Sequence, residues 1–161
     1  MQTASSHRGR EVLVGDVLFG ADDIVAEFVR QRMPVARPSF GPCTALGVVK
    51  DGVLLGGVVY HNFTGFNIEV SLAFDSPRWL SRKTLRALFS YPFTQLHCAR
   101  LTCLAGRKNK KSRRLIEGCG WKLEGVHPKA LDGVADAMSY GMLREDCKWI
   151  KERASTTSDL A

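Results

Sequence analysis

Two groups of residues in the chain have the types and spacing to do chemistry. The first is cationic. Six of the eight residues from Arg107 to Arg114 are Lys or Arg, and they surround Asn109 at a predicted helix start. Orphan backbone N–H groups and the positive end of the helix dipole make such a start an anion site. The second group handles protons. Along Asn67–Phe74, alternation puts Asn67, Glu69, Ser71 and Ala73 on one face and Ile68, Val70, Leu72 and Phe74 on the other. Glu69 is then an ionisable group inside an otherwise apolar strand, a placement that suits a general base. His61, at the end of the preceding strand, is the second candidate, because imidazole titrates near neutrality. Ser71 shares the face of Glu69.

These residues need a frame. Glu11–Phe19 reads as a strand, and Gly20–Arg32 as a helix with Asp22 and Asp23 in its first turn and Ile24, Val25, Phe28 and Val29 at helical spacing. Pro34 and Pro38 end that helix; Met33–Pro42 is a loop from which Phe40 packs down. Thr44–Val49 and Val53–Asn62 are strands joined at Asp51-Gly52, and Asn67–Phe74 follows as the third strand of a meander. Ser81–Phe89 reads as a helix with Leu85, Leu88 and Phe89 inward and Arg82, Lys83 and Arg86 outward. Tyr91-Pro92 interrupts it, and Phe93–Leu96 adds a further turn. Next come a strand at Arg100–Leu104, a helix capped by Asn109 and ended by Gly118 and Gly120, and a strand at Trp121–Val126. Asp132-Gly133 is a turn before a last strand, Ala135–Leu143. Arg144–Arg153 is expected to form a short amphipathic helix.

With 161 residues, the chain is expected to form one domain over residues 11–153, with a flexible N-terminus at 1–10 and a disordered tail at 154–161. No apolar run approaches the roughly 18 residues of a membrane span, and MQTASSHRGR has no apolar signal core; no membrane association and no secretion are expected. The five cysteines contain no C-x-x-C pair, which predicts reduced core thiols in a cytoplasmic protein and no zinc site. A net charge of +7 favours an anionic partner, either a phosphorylated cofactor or nucleic acid.

Asn109, Ser112, Leu115, Glu117, Gly120, Trp121, Glu124 and Gly125 resemble the N-x-x-S/A-x-x-L-x-E-x-x-G-F-x-x-E-G segment of the GNAT-family N-acetyltransferases, with Trp121 where Phe is usual. The element order over residues 11–145 is similar to that family's as well. Periodicity alone gives the α/β class. The resemblance implies the rest: a mixed, mostly antiparallel sheet splayed between its fourth and fifth strands, helices on both faces, and acyl-CoA in the splay.

The resemblance also implies an activity: transfer of an acyl group, most simply from acetyl-CoA, to a primary amine on a small molecule or protein. Direct attack in a ternary complex is expected, because no nucleophile is evident. Where the family usually cradles pyrophosphate with a Q/R-x-x-G-x-G/A loop, this chain has SPRWLSRKTLR, residues 76–86, without glycine. Within Arg78-Trp79-Leu80-Ser81-Arg82-Lys83, the N–H groups of Leu80–Lys83 would meet the phosphates, and Arg78 and Arg82 would add charge. Asn109 and Ser112 carry over to pantetheine and adenine-side contacts, with Arg113 beside them. Glu69 falls at the usual place of a carboxylate base. The family's tyrosine acid is replaced by Ile116, so either the thiolate leaves unaided, its conjugate acid having a pKa of about 8.5, or Tyr140 or Tyr60 protonates it. A different class is a GNAT-like module that binds nucleic acid through Arg107–Arg114. A third combines the two: an acyltransferase whose amine belongs to a nucleic acid or to a protein associated with one. Homodimers are common among such folds.

Overall fold

A computed structural model describes residues 10–34, 39–76 and 80–151. The expected flexible N-terminus falls outside these residues except for Arg10, and the tail at 154–161 falls outside entirely. Eight strands form one sheet: β1 (Val12–Val14), β2 (Val17–Phe19), β3 (Cys43–Lys50), β4 (Val53–His61), β5 (Asn67–Phe74), β6 (Arg100–Gly106), β7 (Lys122–His127) and β8 (Ala137–Leu143). Among the described residues three α-helices accompany them: α1 (Asp22–Gln31), α2 (Arg82–Ser90) and α3 (Lys110–Gly118). A π-helical turn (Tyr91–Gln95) carries α2 on through Tyr91-Pro92, where the sequence predicts an interruption. The spatial order is β1-β2-β3-β4-β5-β6-β8-β7, antiparallel throughout except where β5 runs parallel to β6.

Two other expectations need correction. The first predicted strand, Glu11–Phe19, is a hairpin: Val14 pairs with Val17, and Gly15 takes the left-handed φ of 58° that the tight turn requires. The splay expected between the fourth and fifth strands therefore falls between β5 and β6. Nor do residues 144–151, the described part of the expected Arg144–Arg153 helix, form an amphipathic helix. A 3₁₀ turn covers Arg144–Asp146 alone, and the chain then extends at Cys147. Lys148 and Trp149 form a turn rather than a helix. The segment's apolar residues explain this. Cys147 is buried in the core on the α2–α3 face, Trp149 packs against the same core, and the Trp149 indole donates to the Cys119 carbonyl at 2.7 Å.

The sheet separates two apolar layers. On one face Val25 and Val29 of α1 pack on Ala45, Val59 and Phe40. On the other, Leu85, Leu88 and Phe89 of α2 and Ile116 of α3 cover Val58, Tyr60, Val70 and Leu101. Alternation along β5 therefore holds: Val70 faces the α2–α3 layer, and Ala73 faces α1.

The feature that positions the site is a break in pairing. β5 and β6 are joined only from Asn67↔Arg100 to Val70↔Cys103. Beyond that, β5 runs on to Phe74, still held by β4, and β6 runs on to Gly106, still held by β8. The sheet forks, and alternate backbone N–H and C=O groups of both strands face the gap without a strand partner.

Candidate acyl-transfer site in the forked sheet

A cavity of about 1230 Å³ fills the fork. That exceeds the roughly 300–1,000 Å³ of ordinary small-molecule sites and suits a long ligand. Leu72 and Phe74 line it, as do Ser71 and Ala73 from the opposite face of the same strand, so it passes through the sheet. Its far wall is Cys103, Leu104, Ala105 and Gly106 of β6, continuing into Asn109, Lys110, Lys111, Ser112 and Arg114 of α3. Leu131, in the β7–β8 loop, roofs the end of β6.

The cationic end is built locally. The Asn109 side-chain oxygen accepts from the Ser112 backbone N–H at 3.1 Å, which caps α3 as the sequence implies. The cations divide. Lys110, Lys111 and Arg114 stand on the cavity wall. Arg107 pairs with Asp136 at 3.2 Å. Arg113 turns away, its Nε donating to the Tyr140 hydroxyl at 3.0 Å and an Nη to the Arg107 carbonyl.

At the other end, three side chains converge. His61 and Glu69 are Cα partners across β4 and β5, and the His61 ring reaches diagonally to Ser71, Nε2 to Oγ 2.9 Å. Glu69 Oε2 lies 3.7 Å from His61 Nδ1 and accepts from Asn62 Nδ2 at 2.9 Å. The imidazole is 2% exposed, whereas the Glu69 side chain is 38% exposed. The Phe40 ring, buried as expected, closes over His61 at 5.2 Å between centroids.

Other candidates are placed elsewhere. Tyr140 is buried; its hydroxyl donates to Glu117 at 2.8 Å and accepts from Arg113, on the α3 side of the sheet and off the cavity wall. The Tyr60 hydroxyl donates to the Leu88 carbonyl at 2.6 Å, and burial holds it well above the ordinary phenol range. Neither hydroxyl meets the cavity. Of the α2 segment, Leu80 is on the wall. Ser81 caps the helix by accepting from the Thr84 N–H, and Arg82 and Lys83 lie off the wall, Lys83 extending toward Gly15. Arg78 and Trp79 lie outside the described residues. Cys103 lines the cavity, but burial pushes its thiol up to about 12, so it is protonated at neutral pH and no nucleophile.

Some wall residues carried no signal in sequence. Arg32 clamps Asp75 at 2.7 Å across 43 residues, and the guanidinium lies over the Phe28 ring. Arg32, Met33 and Asp75 thereby form one rim of the cavity.

No protein-family model matches the chain, and no curated protein matches it. Solved structures do. A probable acetyltransferase superposes with a TM-score of 0.57 at 25% identity, over 65% of this chain; the match spans 63% of that protein's own length. An acetyltransferase of the GNAT family from Bacillus anthracis gives a TM-score of 0.61 at 18% identity, covering 84% of this chain and 99% of its own. This chain has the GNAT fold. A spermidine N-acetyltransferase from Vibrio cholerae, solved with CoA and spermine, gives a TM-score of 0.57 at 18% identity, over 69% of this chain and 70% of its own. In this GNAT fold the splay lies between β5 and β6, with Ile116, 2% exposed, lining it where the family motif often has tyrosine.

Proposed function

We propose that the chain is an acyl-CoA-dependent N-acyltransferase, with acetyl-CoA as donor and a primary amine as acceptor, working by direct attack in a ternary complex. One observation carries this reading. A single through-sheet cavity joins the cations at the start of α3 to the Glu69–His61–Ser71 group. That is the layout acyl transfer needs: anion binding at one end, proton removal at the other, and a fork between them to hold the thioester.

The chemistry follows from the parts. Lys110, Lys111, Arg114 and the capped start of α3 take the phosphates. Pantetheine replaces the missing strand, its amides meeting the unpartnered backbone of β5 and β6, and an N–H on the fork edge stabilises the thioester oxygen as it gains charge. An alkylamine of pKa about 10.4 must shed a proton, which costs roughly 4–5 kcal/mol at pH 7. The His61–Glu69 pair receives it. The thiolate leaves without a tyrosine acid, since neither Tyr60 nor Tyr140 meets the cavity.

The same cations favour a cofactor over nucleic acid as the anionic partner: three of them face into the cavity. The deciding experiment is calorimetry with acetyl-CoA together with an assay of free thiol release over a panel of primary amines. Micromolar binding and amine-dependent thiol release are expected. No heat at millimolar acetyl-CoA would sink the reading.

A further inference from the structure

Glu69, His61 and Ser71 are arranged as carboxylate, imidazole and hydroxyl in series. A carboxylate lies beside one ring nitrogen at 3.7 Å, and a hydroxyl is hydrogen-bonded to the other at 2.9 Å. That is the order of a hydrolase triad, recognised by geometry and not by chain position. Exposure decides how it can act. His61 stands on the cavity wall, but it is 2% exposed and has the Phe40 ring against it, so little of the imidazole is open to an acceptor amine. Ser71 can be reached. It is the first residue of β5 past the last β5–β6 pair, at the apex of the fork, and its side chain lies on the cavity wall.

We propose that Ser71 is a catalytic proton port: the acceptor's proton enters through the Ser71 hydroxyl and ends on His61. This rests on the acyl-transfer reading. The negative carboxylate beside Nδ1 favours the tautomer with the proton there, which leaves Nε2 to accept from the Ser71 O–H. Two protons leave an alkylammonium acceptor by this route. The first passes through Ser71 Oγ to Nε2 and on to solvent, giving the neutral amine. As its nitrogen then bonds to the thioester carbon, an N–H proton passes to Ser71 Oγ while the Ser71 proton passes to Nε2. The C–S bond then breaks and CoA leaves as thiolate. Glu69 stabilises the imidazolium, and Asn62 steadies Glu69. The serine ends as it began, with no bond to carbon. The proton on Nε2 returns to solvent, or to the thiolate, by the same hydroxyl.

The test uses the full chain, acetyl-CoA and the amine panel. Ser71→Ala is expected to lower kcat by roughly 10²–10⁴-fold, the range for loss of a proton-transfer group, with acetyl-CoA affinity within about threefold. Ser71→Thr, which keeps the hydroxyl, is expected to restore kcat to within roughly tenfold of wild type. His61→Gln should lose about as much as Ser71→Ala, and the double variant no more than either, because groups acting as one unit are non-additive. An acetyl-CoA-induced rise in melting temperature shows that each variant keeps a folded site. Turnover by Ser71→Ala close to wild type, or additive losses in the double variant, would overturn the port. So would an acetylated Ser71 peptide in acid-quenched wild-type protein given acetyl-CoA alone, since that makes the serine an acyl carrier. A wild type that binds acetyl-CoA yet acylates no amine defeats the acyltransferase reading itself, and the port with it; an active wild type with an unaffected Ser71→Ala defeats the port only.

Discussion

The sequence marks Glu69 as the one ionisable residue of its strand; it does not show the contact that joins His61 to Ser71. The contact from His61 to Ser71 depends on the β4–β5 register, which pairs His61 with Glu69 across the turn at Asn62–Phe66, and nothing in the residue types fixes that register. Asn109 was legible for the opposite reason: capping is local, and the acceptor and its N–H are three residues apart. Two predictions belong here. Glu69→Gln keeps the shape and removes the charge that stabilises His61 when protonated. Turnover at pH 7 is expected to fall by roughly 10²–10⁴-fold, with acetyl-CoA affinity nearly unchanged, and the deficit should narrow toward about pH 10, where the amine is already neutral. A deficit that stays constant across that range would assign the carboxylate to positioning alone. Asn109→Ala removes the cap of α3 and is expected to cost about 1 kcal/mol of stability, read as a lower denaturant midpoint at unchanged m-value.

Helices and strands were legible where their signals were periodic, and lost where packing overrode them. α2 and α3 follow their apolar spacing. The segment after Leu143 does not: Cys147 is drawn into the core and the Trp149 indole bonds to the Cys119 carbonyl, and these long-range contacts hold a succession of turns in place of a helix. The clamp between Arg32 and Asp75 joins the end of α1 to the end of β5, a contact visible only after folding. The packing of α1 makes a sharper statement. A Cβ on Gly57 would lie 2.6 Å from Val25 Cγ1 and 3.1 Å from Val29 Cγ2, closer than van der Waals contact allows. Gly57→Ala should therefore destabilise by roughly 1–3 kcal/mol through overpacking. If the clash is the cause, adding Val25→Ala should recover part of that loss, so the double variant would be more stable than the two single costs summed; strict additivity would refute it. The β7–β8 loop offers a pH test. Asp136 accepts from the Lys129 N–H and pairs with Arg107, and these hold its carboxyl below the usual range. A depressed carboxyl contributes order above its unfolded pKa of about 3.9 and loses it as pH falls through the lower folded value. The Lys129 amide should thus stay protected from exchange at neutral pH and lose protection only below about pH 4. Protection unchanged down to pH 2 would mean that the loop is held by other contacts.

Net charge could not say by itself which anion the protein meets: a charge of +7 suits a nucleotide cofactor and a nucleic acid equally. The place of Lys110, Lys111 and Arg114 on the wall of the cavity in the fork is what favours the cofactor in the reading proposed above. Among the described residues, no helix is long and apolar enough to cross a membrane. A ligand that binds only the folded chain stabilises it by about 2.7 kcal/mol at a hundredfold excess over its dissociation constant. For a domain of this size that corresponds to a rise of roughly 5–10 °C in melting temperature. If Lys110 and Lys111 meet the 3′-phosphate of CoA, wild type should show a larger shift with CoA than with dephospho-CoA. Lys110→Ala/Lys111→Ala should then erase most of that difference while leaving the dephospho-CoA shift nearly intact. If the cluster serves duplex DNA instead, the wild-type affinity should fall steeply with salt, and each lost phosphate contact should flatten the log–log slope by about 0.9. Equal loss of both cofactor shifts in the double variant, with no salt-dependent DNA binding by wild type, would remove the 3′-phosphate and the nucleic acid together, and leave the two lysines as supports for the start of α3.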